Sequence, residues 1–135
     1  MNKEFIPYEQ ALELEELGFD ESCLATIDQT GFIHIKGTEY PIRGDMWYNT
    51  IDAPIYQQAF RWFRDKYDIH YSIDRECSQH DFKWGYNWSL YNWTGMFDEY
   101  LTSAPNAPVG EWVYDTYEEA ELACIVKLIE IVKNK

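Results

Sequence analysis

Positive charge is scarce in this chain: 11 lysines and arginines stand against 24 aspartates and glutamates, a net charge of −13. An excess of that size repels phosphate backbones and disfavours nucleic-acid binding, while it attracts and steers basic protein surfaces. Cysteine is sparse as well. Cys23, Cys77 and Cys124 are odd in number and widely spaced, which argues against a disulfide framework and fits reduced thiols. No apolar run approaches the ~18 residues that would span a bilayer. The opening Met1-Asn2-Lys3-Glu4-Phe5 has neither the basic start nor the apolar stretch of a signal peptide. The expectation is a cytoplasmic protein that meets no membrane.

Catalytic and cofactor signatures are missing too. Gly85 and Gly95 stand alone, so no Gly-x-Gly-x-x-Gly or Gly-Lys-Ser/Thr segment is present to cradle a phosphate. No Gly-x-Ser-x-Gly elbow occurs, and His34, His70 and His80 are the only imidazoles. Cys77-Ser78-Gln79-His80 offers two zinc ligands, but a structural site takes four, usually as two such pairs, and there is no second pair. These readings point away from an enzyme, with no cofactor and no metal. An enzyme without familiar motifs would need a pocket holding a histidine or carboxylate with a displaced pKa.

What the chain has is rings. Aromatic residues make up 18% of its 135 residues, enough burial to offset chain entropy, and the length suits one domain over 1–135. Pro7 and Gly18 bracket a short helix with Ala11, Leu14 and Leu17 on one face. Leu24–Asp28 and Phe32–Lys36 flank a polar turn ending in Gly31 and read as a hairpin. The stretch from Gly37 to Asn49 has no steady period and reads as a loop, with Met46, Trp47 and Tyr48 covering core edges.

Pro54 opens an amphipathic helix to about Tyr67, with Ile55, Ala59, Trp62 and Phe63 as its stripe. Ile69, Tyr71 and Ile73 alternate with polar residues as a strand, followed by a polar loop from Arg75 to Asp81. Phe82, Trp84, Tyr86, Trp88 and Leu90 alternate in the same way. The period is lost beyond Trp93, and a short strand returns at Glu111 to Tyr114. Thr116 and Glu119 form a capping box that starts a last helix, running to about Val132.

That last helix has one stripe of Tyr117, Ala120, Cys124, Leu128 and Ile131, and a second apolar side of Leu122, Val126 and Ile129. Two faces need two partners, so a homodimer through this helix and burial by the chain's own loops both stand open. Tyr8-Glu9-Gln10-Ala11, Tyr56-Gln57-Gln58-Ala59 and Tyr117-Glu118-Glu119-Ala120 each open a predicted helix. The echo reads as local helix-start propensity, with a duplicated unit as the other account.

Two features bear on function. Residues 1–30 carry eight acids and one base, and residues 98–135 carry eight acids and three bases, so both ends are acidic. Along the aromatic strand, Trp84, Tyr86 and Trp88 on one face, with Trp93 beyond, are candidates for stacking on sugars or bases. Core packing under the 54–67 helix is the other reading.

The segments Glu4-Phe5-Ile6-Pro7-Tyr8-Glu9-Gln10-Ala11, Ala59-Phe60-Arg61-Trp62-Phe63-Arg64 and Thr116-Tyr117-Glu118-Glu119-Ala120 resemble a family of small phage and prophage proteins of gut Bacteroidetes. The likeness covers the three helices, under half the chain. That family has no assigned activity, so the resemblance implies a setting: an accessory protein inside a bacterial cell.

The sequence thus predicts an α+β domain, an antiparallel sheet of four or five strands packed against three helices. Its expected role is a non-enzymatic module binding a host or phage protein through acidic surface. A small-ligand or carbohydrate binder using Trp84, Tyr86, Trp88 and Trp93 is the alternative.

Overall fold

The computed structural model describes residues 2–36, 50–77, 84–94, 97–103 and 114–134. The chain forms two compact units, Met1–Gln58 and Ala59–Lys135. Both are α+β with antiparallel sheets, and three α-helices stand where the sequence places them.

In the first unit, helix α1 (Tyr8–Glu16) starts behind Pro7 and stops at a left-handed Gly18, φ 100°. The stop is a Schellman motif: Phe19 N–H donates to Leu14 O at 3.0 Å and Gly18 N–H to Glu15 O at 3.0 Å. It turns the chain so that Phe19 buries beside Leu14. Strands β1 (Ala25–Asp28) and β2 (Ile33–Ile35) make the expected hairpin. Its turn is held by Asp28, whose Oδ1 accepts from the Thr30 and Phe32 amides at 2.8 and 3.1 Å and from the Thr30 hydroxyl. Gly31, at φ 87°, supplies the conformation the turn requires.

A third strand, β3 (Thr50–Ala53), pairs on the other side of β1 with Ala25 opposite Ala53, giving the order β2-β1-β3. Periodicity does not announce this four-residue strand. Ile6 N–H donates to Pro54 O at 2.9 Å, tying the N-terminal segment beside β3. The core gathers Phe5, Ile6, Ala11, Leu14, Phe19, Ala25, Ile27 and Ala53.

Helix α2 (Tyr56–Tyr67) crosses the division after Gln58. Within the second unit it buries Ala59, Phe60, Trp62 and Phe63 and exposes Arg61, Arg64 and Asp65, as its spacing predicts. Asp68, at φ 57°, reverses the chain into β4 (Ile69–Cys77). That strand runs past Asp74 through Arg75, Glu76 and Cys77, which the sequence assigns to a loop. Strands β5 (Trp84–Thr94) and β6 (Phe97–Ser103) complete an antiparallel meander, β4-β5-β6, with a bulge at Leu90/Tyr91.

Among the described residues the strands form two sheets of three, with β3 and β6 joining the four strands placed by the sequence, because alternation tells which side of a strand is buried and not which strand it pairs with. The second sheet also reaches beyond the predicted loss of period: β6 has no alternation and is recruited by backbone pairing to β5. Tyr114 is the described end of the predicted 111–114 strand, and it bridges Tyr86 through mutual bonds of 2.7 and 2.8 Å.

Helix α3 (Tyr117–Lys133) starts at Thr116, whose hydroxyl oxygen accepts from the Glu119 amide at 3.2 Å. It lies on β5 and β4, burying Ala120, Cys124, Ile125, Leu128, Ile129 and Val132. Of the second apolar side expected on this helix, Ile129 is buried, Leu122 is half-buried and Val126 stays 43% exposed.

Each of the three Tyr-x-x-Ala segments opens a helix at its tyrosine, and Ala11, Ala59 and Ala120 are all buried. The two sheets have different strand orders, with β1 central in one and β5 in the other. The echo is thus a local start signal, a small residue where the first turn meets its core. The segments 37–49, with Met46, Trp47 and Tyr48, and 78–83, with Phe82 and the Ser78-Gln79-His80 part of the cysteine–histidine pair, lie outside the described residues. Among the described residues, no helix is long and apolar enough to cross a membrane.

Candidate functional site

A groove of about 400 Å³ opens in the first unit between α1 and β3, lined by Ala11, Glu15, Phe19, Thr50, Ile51 and Asp52. Its walls follow from local rules. Ala11 and Glu15 are four apart on α1 and share a face. The Schellman turn brings Phe19 under them, and β3 supplies three consecutive residues. Ala11, a small residue where α1 meets β3, lines the groove.

The groove is electrostatically one-sided. Glu15 is exposed on α1, and Asp52 is half-exposed on β3, on the sheet face it shares with Lys36 and opposite Ile51. The Lys36 ammonium reaches Asp52 Oδ1 at 2.8 Å, and that hydrogen bond holds the Lys36 pKa above its ordinary value. Burial pushes the neighbouring Cys23 thiol up to about 11, with Asp52 and Glu21 adding to the rise and Lys36 opposing it. A thiol so protonated is no nucleophile at neutral pH.

Around the groove, Glu9 and Glu16 are exposed on α1 and Asp20 just beyond it. No lysine or arginine occurs from Glu4 to Ile35. The first unit carries eleven acids against three bases, the second thirteen against eight.

In the second unit the candidate aromatic residues differ in exposure. Trp84, Tyr86 and Trp88 occupy one face of β5, opposite Cys77, Arg75 and Ile73 of β4. Trp88 is 3% exposed and Leu90 is fully buried, as core packing predicts. Tyr86 is half-buried, edge-on to Tyr117 with ring centres 5.7 Å apart. Trp84 departs from the expectation of an inward face: it is 59% exposed, with the Arg75 guanidinium over its ring at 5.3 Å.

The cover also differs from the predicted one. Helix α3 spans β5, while α2 reaches β4 with Phe60 stacked on Tyr71 at 3.8 Å. Trp93 pairs with Asp98 in the ladder, and its side chain lies outside the described residues.

Under α3 sits a cluster that sequence reasoning did not single out. Burial, reinforced by the Glu118 charge, pushes the Glu121 carboxyl up to about 7. Tyr71 and Tyr117 are raised by burial and then by neighbours that include Glu121. Burial raises the Cys124 thiol far above its ordinary value. A carboxyl with a displaced pKa is what a motif-free enzyme would require, but the groove described above is lined by other residues.

The groove was partly visible in the sequence. Gly18 marks the turn that seats Phe19, and Glu15 stands in an acid-only stretch; the pairing with β3 has no local signal. Comparison with family models, with curated proteins and with solved structures finds no match for this chain.

Proposed function

We propose that this is a cytoplasmic, non-enzymatic accessory protein of phage or prophage type that binds a basic protein of host or phage through the acidic surface of its first unit. The observation that carries the reading is the exposed carboxylates of α1, in a stretch without lysine or arginine from Glu4 to Ile35. Like charges held together repel one another, and a cationic partner relieves that cost while being steered in. Among the described residues of the second unit, Lys127 meets Glu130 at 3.1 Å, Arg64 meets Asp65 at 3.6 Å, and Lys66 lies over Trp62 at 5.0 Å. The phage or prophage setting rests on the resemblance of the helices alone. The alternative, a sugar or base platform on β5, is left chiefly with Trp84 among the described rings.

The test is capture of partners from bacterial lysate by the intact chain at low and high salt. It is repeated with a Glu9→Gln, Glu16→Gln, Asp20→Asn variant and with a Glu118→Gln, Glu119→Gln control. Capture should drop about tenfold between roughly 50 and 300 mM salt and in the first variant, but not in the control. Capture indifferent both to salt and to the first variant would remove the proposal.

A further inference from the structure

We propose that the outward strip of α3 is an interface for a second copy of this chain, packed antiparallel about a two-fold axis at Val126. The inference concerns the second unit and goes beyond the acidic-surface reading of the first. Glu119, Ala123, Val126, Glu130 and Lys133 follow one another at steps of four, three, four and three residues. They therefore run along one side of the helix at the spacing of a coiled-coil seam. That side faces away from the buried Ala120, Cys124 and Leu128. Val126 is 43% exposed, Leu122 and Ala123 beside it are half-buried, and Glu119, Glu130 and Lys133 are exposed. The strip is a short apolar patch with an acid at one end and a base at the other.

Charge fixes the occupant and the register. Glu119 and Lys133 each stand seven residues from Val126, about 10.5 Å along the axis. A two-fold axis at Val126 brings Glu119 of each copy opposite Lys133 of the other, the reciprocal pairing of an isologous contact. Val126 then meets its own equivalent, flanked by Leu122 and Ala123 of both copies. Glu130, which falls opposite Leu122 of the second copy, has its charge met by Lys127 at 3.1 Å. A parallel pair would set Glu119 on Glu119 and Lys133 on Lys133. An antiparallel pair centred between Cys124 and Ile125 would set Glu119 on Glu130. Both put like charges together, and only the axis at Val126 pairs opposite ones. The small patch and the −13 charge of each copy make the association weak and concentration-dependent.

The test is sedimentation equilibrium of the intact chain from about 10 µM to about 1 mM at about 0.15 M salt, where a Debye length of about 8 Å screens distant charges more than pairs in contact. The mean mass should rise from 16.1 kDa toward twice that value. Val126→Glu sets two carboxylates face to face at the axis and should weaken the dimer about tenfold or more. Glu119→Lys alone and Lys133→Glu alone should each weaken it about fivefold or more, since each makes both end pairs repulsive. The double variant should regain the parent affinity. An equal mixture of the two single variants should form a mixed dimer, because every end pair is then of opposite sign. All three positions are exposed, and circular dichroism checks that the fold is retained.

A mass that stays at 16.1 kDa across the range overturns the interface and leaves the strip to a different protein. A dimer indifferent to Val126→Glu lies elsewhere on the molecule and sinks the proposal as well. If Val126→Glu breaks the dimer but neither the double variant nor the mixture restores it, the antiparallel register is wrong and the proposal falls. None of these results touches the acidic-surface reading, which stands or falls on Glu9, Glu16 and Asp20.

Discussion

The two units are built to the same count of strands and differ in what fills them. The first puts alanines where α1, β1 and β3 meet, Ala11, Ala25 and Ala53; the second puts rings there, Phe60, Trp62, Phe63 and Trp88. Small side chains leave a groove at the helix–strand contact, and rings close the same kind of space. Charge follows the same division. The ring-rich unit engages its cations over aromatic faces, Lys66 over Trp62 and Arg75 over Trp84, and draws one carboxyl, Glu121, out of water. The alanine-rich unit keeps Glu9, Glu15, Glu16 and Asp20 at the surface and buries Asp28 in its hairpin turn. Space and unbalanced charge therefore coincide in one unit, which is the combination a recognition surface uses.

The comparison can be broken most directly through the cores. Phe63→Ala should cost about 3–5 kcal/mol and Leu14→Ala about 2–5 kcal/mol, each site being fully buried. Trp62, Trp84, Trp88, Trp93 and Trp112 belong to the second unit and only Trp47 to the first, so tryptophan emission in urea reports mainly the ring-rich unit. A cost under about 1 kcal/mol for Phe63→Ala would show that the rings fill space without holding the fold.

A smaller effect sharpens the electrostatic side. Glu121 has its pKa raised from 4.5 to about 7 in the folded chain. The folded state therefore keeps a proton that the unfolded chain releases between those values, and this carboxyl lowers stability as pH rises through that window. Glu121→Gln should leave stability near pH 4.5 unchanged. By pH 8 it should gain on the order of 1 kcal/mol, discounted for solvent screening at a partly exposed group. Urea midpoints at the two pH values decide it; a gain that does not grow with pH sinks the assignment.

Smaller again is the cap of α3. Thr116→Ala removes the acceptor for the Glu119 amide and should cost about 1 kcal/mol, read as a lower urea midpoint.

Much of this architecture was legible from local chemistry. Pro7, Gly18 and Thr116 mark helix ends because orphan amides and carbonyls must be satisfied within a turn or two. Asp28 and Gly31 mark the hairpin, and the alternation from Ile69 and again from Trp84 marks two strands. What escaped was non-local. Strand β3 is four residues long and owes its place to Ala25 and its neighbours on β1, and β6 is recruited by backbone pairing to β5. Trp84 shares a face with Trp88, but alternation cannot say where the covering helix runs out. The groove needs α1 and β3 side by side, elements that lie far apart in the chain.

The Schellman turn at Gly18 sets how that groove can change. Phe19 is placed by the end of a helix, and a helix advances about 100° per residue. Adding or deleting one residue within α1 would swing the aromatic wall around the axis instead of moving it by a fraction of an ångström. The opening is therefore adjusted in coarse angular steps by indels and in fine steps only by exchanges at its lining positions, so variants that reshape it gradually should keep the length of α1 fixed.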